Sequence, residues 1–529
     1  MRTVSARAWA LVLLSAFLQF LIFPIAGILP AWRAALGWFA LVPLLLALLF
    51  KDREGNSLRP LPSAALGYLC GVLWYLGNCY WIYQTMYLYG GLPKPVAFII
   101  LILFALYLGL YHALFALLLS LLRRLTRTPL HILILVPFLW VTVELARARI
   151  TGFPWDLLGN SQVDNLFLTR LAPVTGVLGI SFVIAAINAA ITALWLDPKK
   201  GRLIAIEALV AIALLQLGNS LTWVQQADTT APTHLAVLMQ ENLEVGAMGR
   251  EVAPLTLPDE LSAFANATQH PIPVAPLGSH PAPDLIVWPE APSHLRSYDP
   301  LFRQAMSTLA LNQAAPLIIG SLGVDFDQSA PRGYFEYDSA SIFNAAGTYT
   351  GRYDKIHLVP WGEFVPFKQL FAFASKLTEG VGDMDRGHDR NVFRPNQHAY
   401  GVFICYESIF GDEVRQFVKN GAEVLVNISD DGWYGDTGAP WQHLNMVRMR
   451  AIENHRWILR STNTGITSAI DPRGRLSAAA PRHTRAAYAM LFNYTQGTTF
   501  YTRHGDWFAW LCALLTLALL GFSLKPRMH

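Results

Sequence analysis

The amino-acid sequence predicts a bundle of about eight membrane-spanning helices joined to one α/β layered domain. Three observations lead there. Charged residues are 14% of the 529 and hydrophobic residues 53%, against about 25% charged in a soluble protein, so part of the apolar surface must face lipid. Apolar runs of spanning length crowd residues 1–228 and recur after residue 506. Between them the texture changes to short strand-like runs alternating with helical patterns and turn clusters, the pattern of α/β layers.

A spanning helix needs about 20 mostly apolar residues. Runs that meet or approach this are 9–28, 35–50, 64–83, 96–122, 130–145, 171–196, 203–223 and 507–524. The first continues past Pro24 to Trp32 with no polar cleavage region, so it reads as a retained helix rather than a signal peptide. Basic residues alternate from loop to loop. One side holds Arg2 and Arg7, then Lys51, Arg53 and Arg59, then Arg123, Arg124 and Arg127, then Lys199, Lys200 and Arg202, and finally Lys525 and Arg527. The other side is thinner, with Arg33, Lys94, Arg147, Arg149 and Arg170. By the positive-inside rule both termini are expected in the cytoplasm, with the α/β domain outside it. The expected division is 1–228 as the membrane region with seven helices, 229–495 as the layered domain, and 496–529 as the last helix and tail. Glu144 lies near the outer end of its helix, where solvation at the interface together with Arg147 is expected. A net charge of +4 with no basic block gives no nucleic-acid arm.

Within the layered domain, runs at 235–239, 285–288, 317–322, 400–404 and 424–428 suit strands buried on both faces. Residues 339–353 read as a hairpin, 440–459 as a helix with Pro440 near its start, and Asp471-Pro472-Arg473-Gly474 as a second hairpin turn.

Three segments carry chemistry. Leu285-Ile286-Val287-Trp288-Pro289-Glu290 is a buried run ending in a carboxylate, and Gly401-Val402-Phe403-Ile404-Cys405-Tyr406-Glu407 is one ending in a thiol. Between them Tyr353-Asp354-Lys355-Ile356-His357-Leu358-Val359-Pro360 leads to Trp361-Gly362-Glu363. Polar groups at the ends of apolar strands face the ligand crevice of an α/β sheet. Each alone has a plainer reading: Glu290 as a helix cap, Lys355 as a solvated lysine, Cys405 as a packing thiol. Together, a base, a cation and a thiol are the parts of covalent acyl chemistry. The other cysteines, Cys70, Cys79 and Cys512, sit in apolar stretches, and no spacing suits a metal.

These segments resemble the glutamate, lysine and cysteine of the nitrilase superfamily, in that order, and most closely its membrane branch, the apolipoprotein N-acyltransferases. Supporting pieces are Gly152-Phe153-Pro154-Trp155 in an outer loop and Arg450-Ala451-Ile452-Glu453-Asn454 in the helix after the strands. The resemblance implies an extracytoplasmic nitrilase-like α-β-β-α sandwich, held at the cytoplasmic (inner) membrane. It implies catalytic Glu290, Lys355 and Cys405, with Glu363, Tyr406 and Glu407 in support. It also implies a phospholipid acyl donor, a diacylglyceryl-modified apolipoprotein acceptor, a Cys405 thioester between them, and no metal or organic cofactor. One departure stands out: where the family shows a Gln-Gly-Asn segment leading to Lys-Trp, this chain has Gln240-Glu241-Asn242 and then Met248-Gly249-Arg250. That bears on lipid preference. The apolar stretch 364–371 is expected either to dip into the membrane interface or to pack in the core. Two rival readings stay open: a membrane-tethered amidase of a small molecule, and a receptor or transporter whose outer domain only binds.

Overall fold

The computed structural model describes residues 4–50, 57–126, 130–219, 227, 230–246, 256–274, 282–290, 295–330, 332–364 and 384–524. Each expected spanning run overlaps a helix, although the first run leaves helix after Leu21 and residues 220–223 lie outside the described residues. Among the described residues, four helical stretches are long and apolar enough to cross a membrane: Ala31–Leu49, Lys94–Leu122, His131–Thr151 and Val177–Leu196. Ala6–Leu21 and Trp507–Ser523 are shorter apolar helices, while Pro60–Asn78 and Pro198–Asn219 are helical over the two remaining runs.

The run 171–196 is not one helix. Ala172–Thr175 stops at Gly176 and Val177–Leu196 begins after it. Gly176 has φ 67°, and a Cβ there would lie 2.5 Å from the Tyr501 ring, so both backbone and space demand glycine. Glu144 also departs from expectation. It is buried and accepts from the Leu158 N–H at 2.7 Å, while Arg147 donates to the Trp155 carbonyl at 2.9 Å. Each therefore bonds to the backbone of the loop at 152–158 rather than to the other.

Strands β1 (His234–Gln240), β2 (Ile272–Pro273), β3 (Leu285–Val287), β4 (Leu317–Phe326), β5 (Tyr334–Phe343) and β6 (Tyr349–Asp354) belong to one sheet. Strands β7 (Val392–Phe393), β8 (Tyr400–Ile404), β9 (Val424–Ser429), β10 (Ile458–Thr462), β11 (Ser468–Ile470) and β12 (Leu476–Ala479) form a second. Strand β13 (Ala486–Phe492) returns to the first. The orders are β2-β13-β1-β3-β4-β5-β6 and β12-β11-β10-β9-β8-β7.

Strand periodicity sorts the first sheet's side chains into two layers. Val237, Met239, Ile286, Leu317 and Ile319 pack with Phe264, Phe302 and Met306 of the helices Leu257–Gln269 and Pro300–Gln313. Ala236, Leu238, Leu285, Val287 and Ile318 face the second sheet, whose core also takes in Phe417 and Val447 from the helices Gly411–Lys419 and Ala439–Asn454. The layers therefore run helix, sheet, sheet, helix. The helix expected over 440–459 ends at Asn454, where His455 takes the left-handed conformation at φ 47°. The chain then enters β10, which pairs in parallel with β9. The expected hairpins are present: β5 pairs antiparallel with β6, and Asp471 to Gly474 turns β11 into β12.

Candidate active site

Strands β1, β3 and β4 are mutually parallel, as are β8, β9 and β10, so the carboxyl ends of β3, β8 and β9 gather at one end of the sandwich. Glu290, Cys405 and Asp430 lie just beyond those ends. Lys355 arrives by a different route. The β5–β6 register pairs Ser339 with Asp354, which sets Lys355 opposite Asp338, and the Lys355 N–H donates to the Asp338 carbonyl at 2.8 Å.

Lys355 is wholly buried, and its ammonium is fully engaged. Nζ donates to Glu290 Oε1 at 2.7 Å, to Asp338 Oδ2 at 2.8 Å and to Glu363 Oε1 at 2.6 Å. These carboxylates are close enough together to hold a metal ion, but the lysine ammonium stands among them as their cation. The second oxygens are also fixed: Glu290 Oε2 accepts from the Asp430 N–H at 2.6 Å, and Glu363 Oε2 from the Val359 N–H at 2.9 Å.

One positive charge faces three carboxyl groups, and they divide. Burial works to raise Glu290, but the charges and hydrogen bonds of Lys355, Asp338 and Asp430 hold it below the ordinary value. Burial pushes Asp338 well above the ordinary range, with Glu290 and Glu363 adding to Lys355's losing contest. Glu363 is raised as well, by burial first. Glu290 is thus the carboxyl group held lowest of the three, with Asp338 and Glu363 lifted above it. Burial alone would lower Lys355, yet the three carboxyl groups lift it well above its usual value.

Cys405 follows β8 directly and has φ 45°. That is a left-handed backbone costing an L-residue about 1–2 kcal/mol, and it turns the strand into the short 3-10 helix Cys405–Ile409. Burial pushes its thiol well above the usual range. Glu290's charge adds to this, and Lys355 opposes it. The two shifts run apart, so in the resting site the proton stays on sulfur, with the Glu290 carboxylate as the anion whose charge it feels.

The supporting residues separate by what they touch. Glu363 contacts the Lys355 ammonium. Glu407 does not: it accepts from the Tyr353 hydroxyl at 2.8 Å and from the N–H groups of Ile356 at 2.7 Å, His357 at 3.2 Å and Ile404 at 2.7 Å. It ties the loop after Lys355 to the strand before Cys405, so its part is positional. The Tyr406 hydroxyl donates to the Gly152 carbonyl at 2.8 Å. This links the residue after the thiol to the loop at 152–158, which follows the helix His131–Thr151. Trp155 of the same loop donates to Gln442 at 2.8 Å, and Gln442 donates to the Pro24 carbonyl at 2.9 Å.

Reasoning from sequence passed over several residues here. Asp338 lies within β5 rather than at its end. Asp430 and Asp431 do follow an apolar run, 424–428, and the strand-end rule that found Glu290 applies equally to them. His443 is one polar residue in a buried helix. Met248 to Arg250 and residues 365–371 lie outside the described residues.

A layered sandwich with a buried lysine, carboxyl groups and a thiol at one strand end fits the class of carbon–nitrogen hydrolases, and the family described as Carbon-nitrogen hydrolase matches residues 212–494. Residues 15–190 match the family described as Apolipoprotein N-acyltransferase N-terminal domain. The chain is 33% identical to the apolipoprotein N-acyltransferase of Geobacter metallireducens, over 99% of this chain and 97% of that protein. It is 33% identical to that of Methylococcus capsulatus, over 92% of each. Among solved structures it is similar to Saccharomyces cerevisiae Nit3 of the nitrilase superfamily, at 17% identity and TM-score 0.36, over 50% of this chain and 92% of that one. The chain belongs to the apolipoprotein N-acyltransferase family; it is a membrane acyltransferase.

Proposed function

We propose that the protein transfers an acyl chain from a phospholipid to the α-amine of an N-terminal diacylglyceryl-cysteine, through a thioester on Cys405. The observation that carries this reading is the Lys355 ammonium, buried among Glu290, Asp338 and Glu363 beside the thiol. In the first half-reaction Glu290 takes the thiol proton as sulfur attacks the ester carbonyl. Lys355 stabilises the oxyanion by its charge, and donates to it as one of its three carboxyl partners lets go. As the intermediate collapses, the carbon–oxygen bond breaks, and the proton on Glu290 passes to the departing lysophospholipid oxygen. In the second, the lipoprotein amine attacks the thioester, Glu290 accepts its proton, and the thiolate leaves and is reprotonated. Amines attack thioesters more readily than esters, so the first step prepares the second. Asp338 and Glu363 hold the ammonium in place, Glu407 fixes the loop that carries it, and Tyr406 couples the nucleophile to the membrane loop.

The residue roles rest on this site together with the family membership. The wider layout rests on the charge pattern: eight crossings, both termini cytoplasmic, residues 1–228 and 496–529 in or beside the inner membrane, and 229–495 outside the cytoplasm. A reporter active only outside the cytoplasm should work when fused after Gly421 and be silent after Lys200; the opposite result overturns the layout. For the chemistry, enzyme given phospholipid without acceptor should release about one equivalent of lysophospholipid and then stall, as a covalent intermediate requires. Cys405→Ala should release none. Continuous release without acceptor would favour a hydrolase instead.

A further inference from the structure

Beneath Cys405 lies a second cluster of buried charge that the acyl-transfer scheme leaves unused. Asp431, His443 and Arg460 are each 0% exposed. Arg460 Nη2 donates to Asp431 Oδ2 at 2.6 Å, and the Ser429 hydroxyl donates to Asp431 Oδ1 at 2.9 Å. Arg460 also holds Asn427, whose amide donates to the Phe403 carbonyl at 3.2 Å. The His443 ring sits against this frame with Nδ1 2.9 Å from Asp431 Oδ1. Its other nitrogen, Nε2, lies 3.1 Å from the Cys405 carbonyl oxygen and 2.5 Å from the Ser408 hydroxyl.

A carbonyl oxygen only accepts, and Arg460 Nη2, 3.2 Å from Nδ1, only donates, so the tautomer with its proton on Nε2 serves both contacts. The bond to the carbonyl fixes the peptide plane between Cys405 and Tyr406, and with it the left-handed turn at φ 45° that presents the thiol. Strained backbone of this kind persists only where its surroundings hold it. The opposite face of the imidazole is covered by Trp155 of the loop at 152–158, with ring centres 5.8 Å apart and planes at 14°. His443 is therefore clamped between the frame, the nucleophile's backbone and the membrane loop.

We propose that His443 is a positioning residue: its Nε2–H holds the Cys405 carbonyl, and Asp431 and Arg460 hold its ring. The proposal rests on Cys405 being the nucleophile. It assigns His443 no proton transfer to substrate, because Nε2 faces backbone rather than the thiol.

The test compares His443→Leu, which removes the donor, with His443→Gln, whose amide N–H restores it. Two rates are read on full-length protein in detergent: alkylation of Cys405 by iodoacetamide, followed by intact mass, and acyl transfer resolved into kcat and KM. Thermal unfolding reports folding separately. Misplacement of a reacting group by about 1 Å costs on the order of 100-fold. His443→Leu should therefore slow both alkylation and kcat by about tenfold or more, with KM for the phospholipid little changed, and His443→Gln should recover most of the loss. Wild-type alkylation in folded His443→Leu overturns the proposal. So does His443→Gln being as slow as His443→Leu while melting like the wild type. Alkylation does not depend on a lipid thioester, so absence of acyl-Cys405 would sink the proposed chemistry while leaving this contrast to be judged alone.

Discussion

Two clusters of buried charge meet at Cys405, and they are built on opposite balances. Above the thiol, one lysine faces three carboxyl groups, so a single positive charge is shared among them. Asp338 and Glu363 are pushed up and Glu290 is held down. Below it, one carboxylate faces an arginine and a histidine. Burial would raise Asp431, but Arg460 and His443 hold it far below the ordinary range. Carboxyl groups that outnumber their cation are pushed apart in proton affinity, whereas a carboxylate held by an arginine and a ring nitrogen is fixed as an acceptor of hydrogen bonds. The first suits chemistry and the second suits scaffolding.

The sharpest way to break this contrast is at Lys355. Removing one oxyanion-stabilising donor costs about 100- to 1000-fold. Lys355→Met should lose that much in acylation and in transfer alike, measured by single-turnover rates, since each passes through an oxyanion. Lys355→Arg should recover little, because a planar fork does not fit where a compact ammonium meets three carboxyl groups. Loss confined to one half-reaction would remove the lysine from the role given to it.

Glu290→Gln should cost about 100-fold or more near neutral pH, as loss of a general base does. Its acylation should then climb as pH rises, because the thiol can ionise unaided and has shed Glu290's opposing charge. Lys355→Met should show no such recovery. A pH profile for each variant decides whether base and cation are correctly assigned.

Glu407 tests the boundary between the clusters. Glu407→Ala strands the Tyr353 hydroxyl and the N–H groups of Ile356, His357 and Ile404, at about 1–3 kcal/mol for each group left buried without a partner. Stability in denaturant should fall by about 3 kcal/mol or more. Unchanged stability with abolished transfer would move Glu407 into the chemistry.

The smallest effect concerns Asp430. Burial, with Glu290's charge, lifts its carboxyl from 3.8 to about 8. A raised acid binds its proton more tightly folded than unfolded, so its contribution to stability is complete below the ordinary value and is lost as pH rises to about 8. Unfolding measured from pH 6 to 8 should show the wild type losing about 1 kcal/mol per pH unit relative to Asp430→Asn. Parallel curves would show that Asp430 is ionised throughout.

Much of this was legible in the chain because buried strands announce their ends. Glu290 and Cys405 each terminate an apolar run, and Lys355 follows a hairpin strand, so a rule about strand ends locates all three. Asp338 escaped because it lies inside β5 and meets Lys355 through cross-strand register, which pairing creates and local sequence does not display. His443 escaped for a related reason: a buried histidine in a helix has many plain explanations until the helix is docked. The break at Gly176 depends on a distant ring, Tyr501, and the helix end at Asn454 on a left-handed histidine followed by a strand. Both are set by tertiary contacts rather than by hydropathy.

The central claim is that Cys405 carries the acyl chain between donor and acceptor. Intact mass of protein incubated with a phospholipid of defined chains, before and after neutral hydroxylamine, tests it most directly. One added acyl mass should be present, vanish with hydroxylamine, and never form on Cys405→Ala. Active enzyme whose Cys405 stays unmodified when acceptor is withheld would contradict the account.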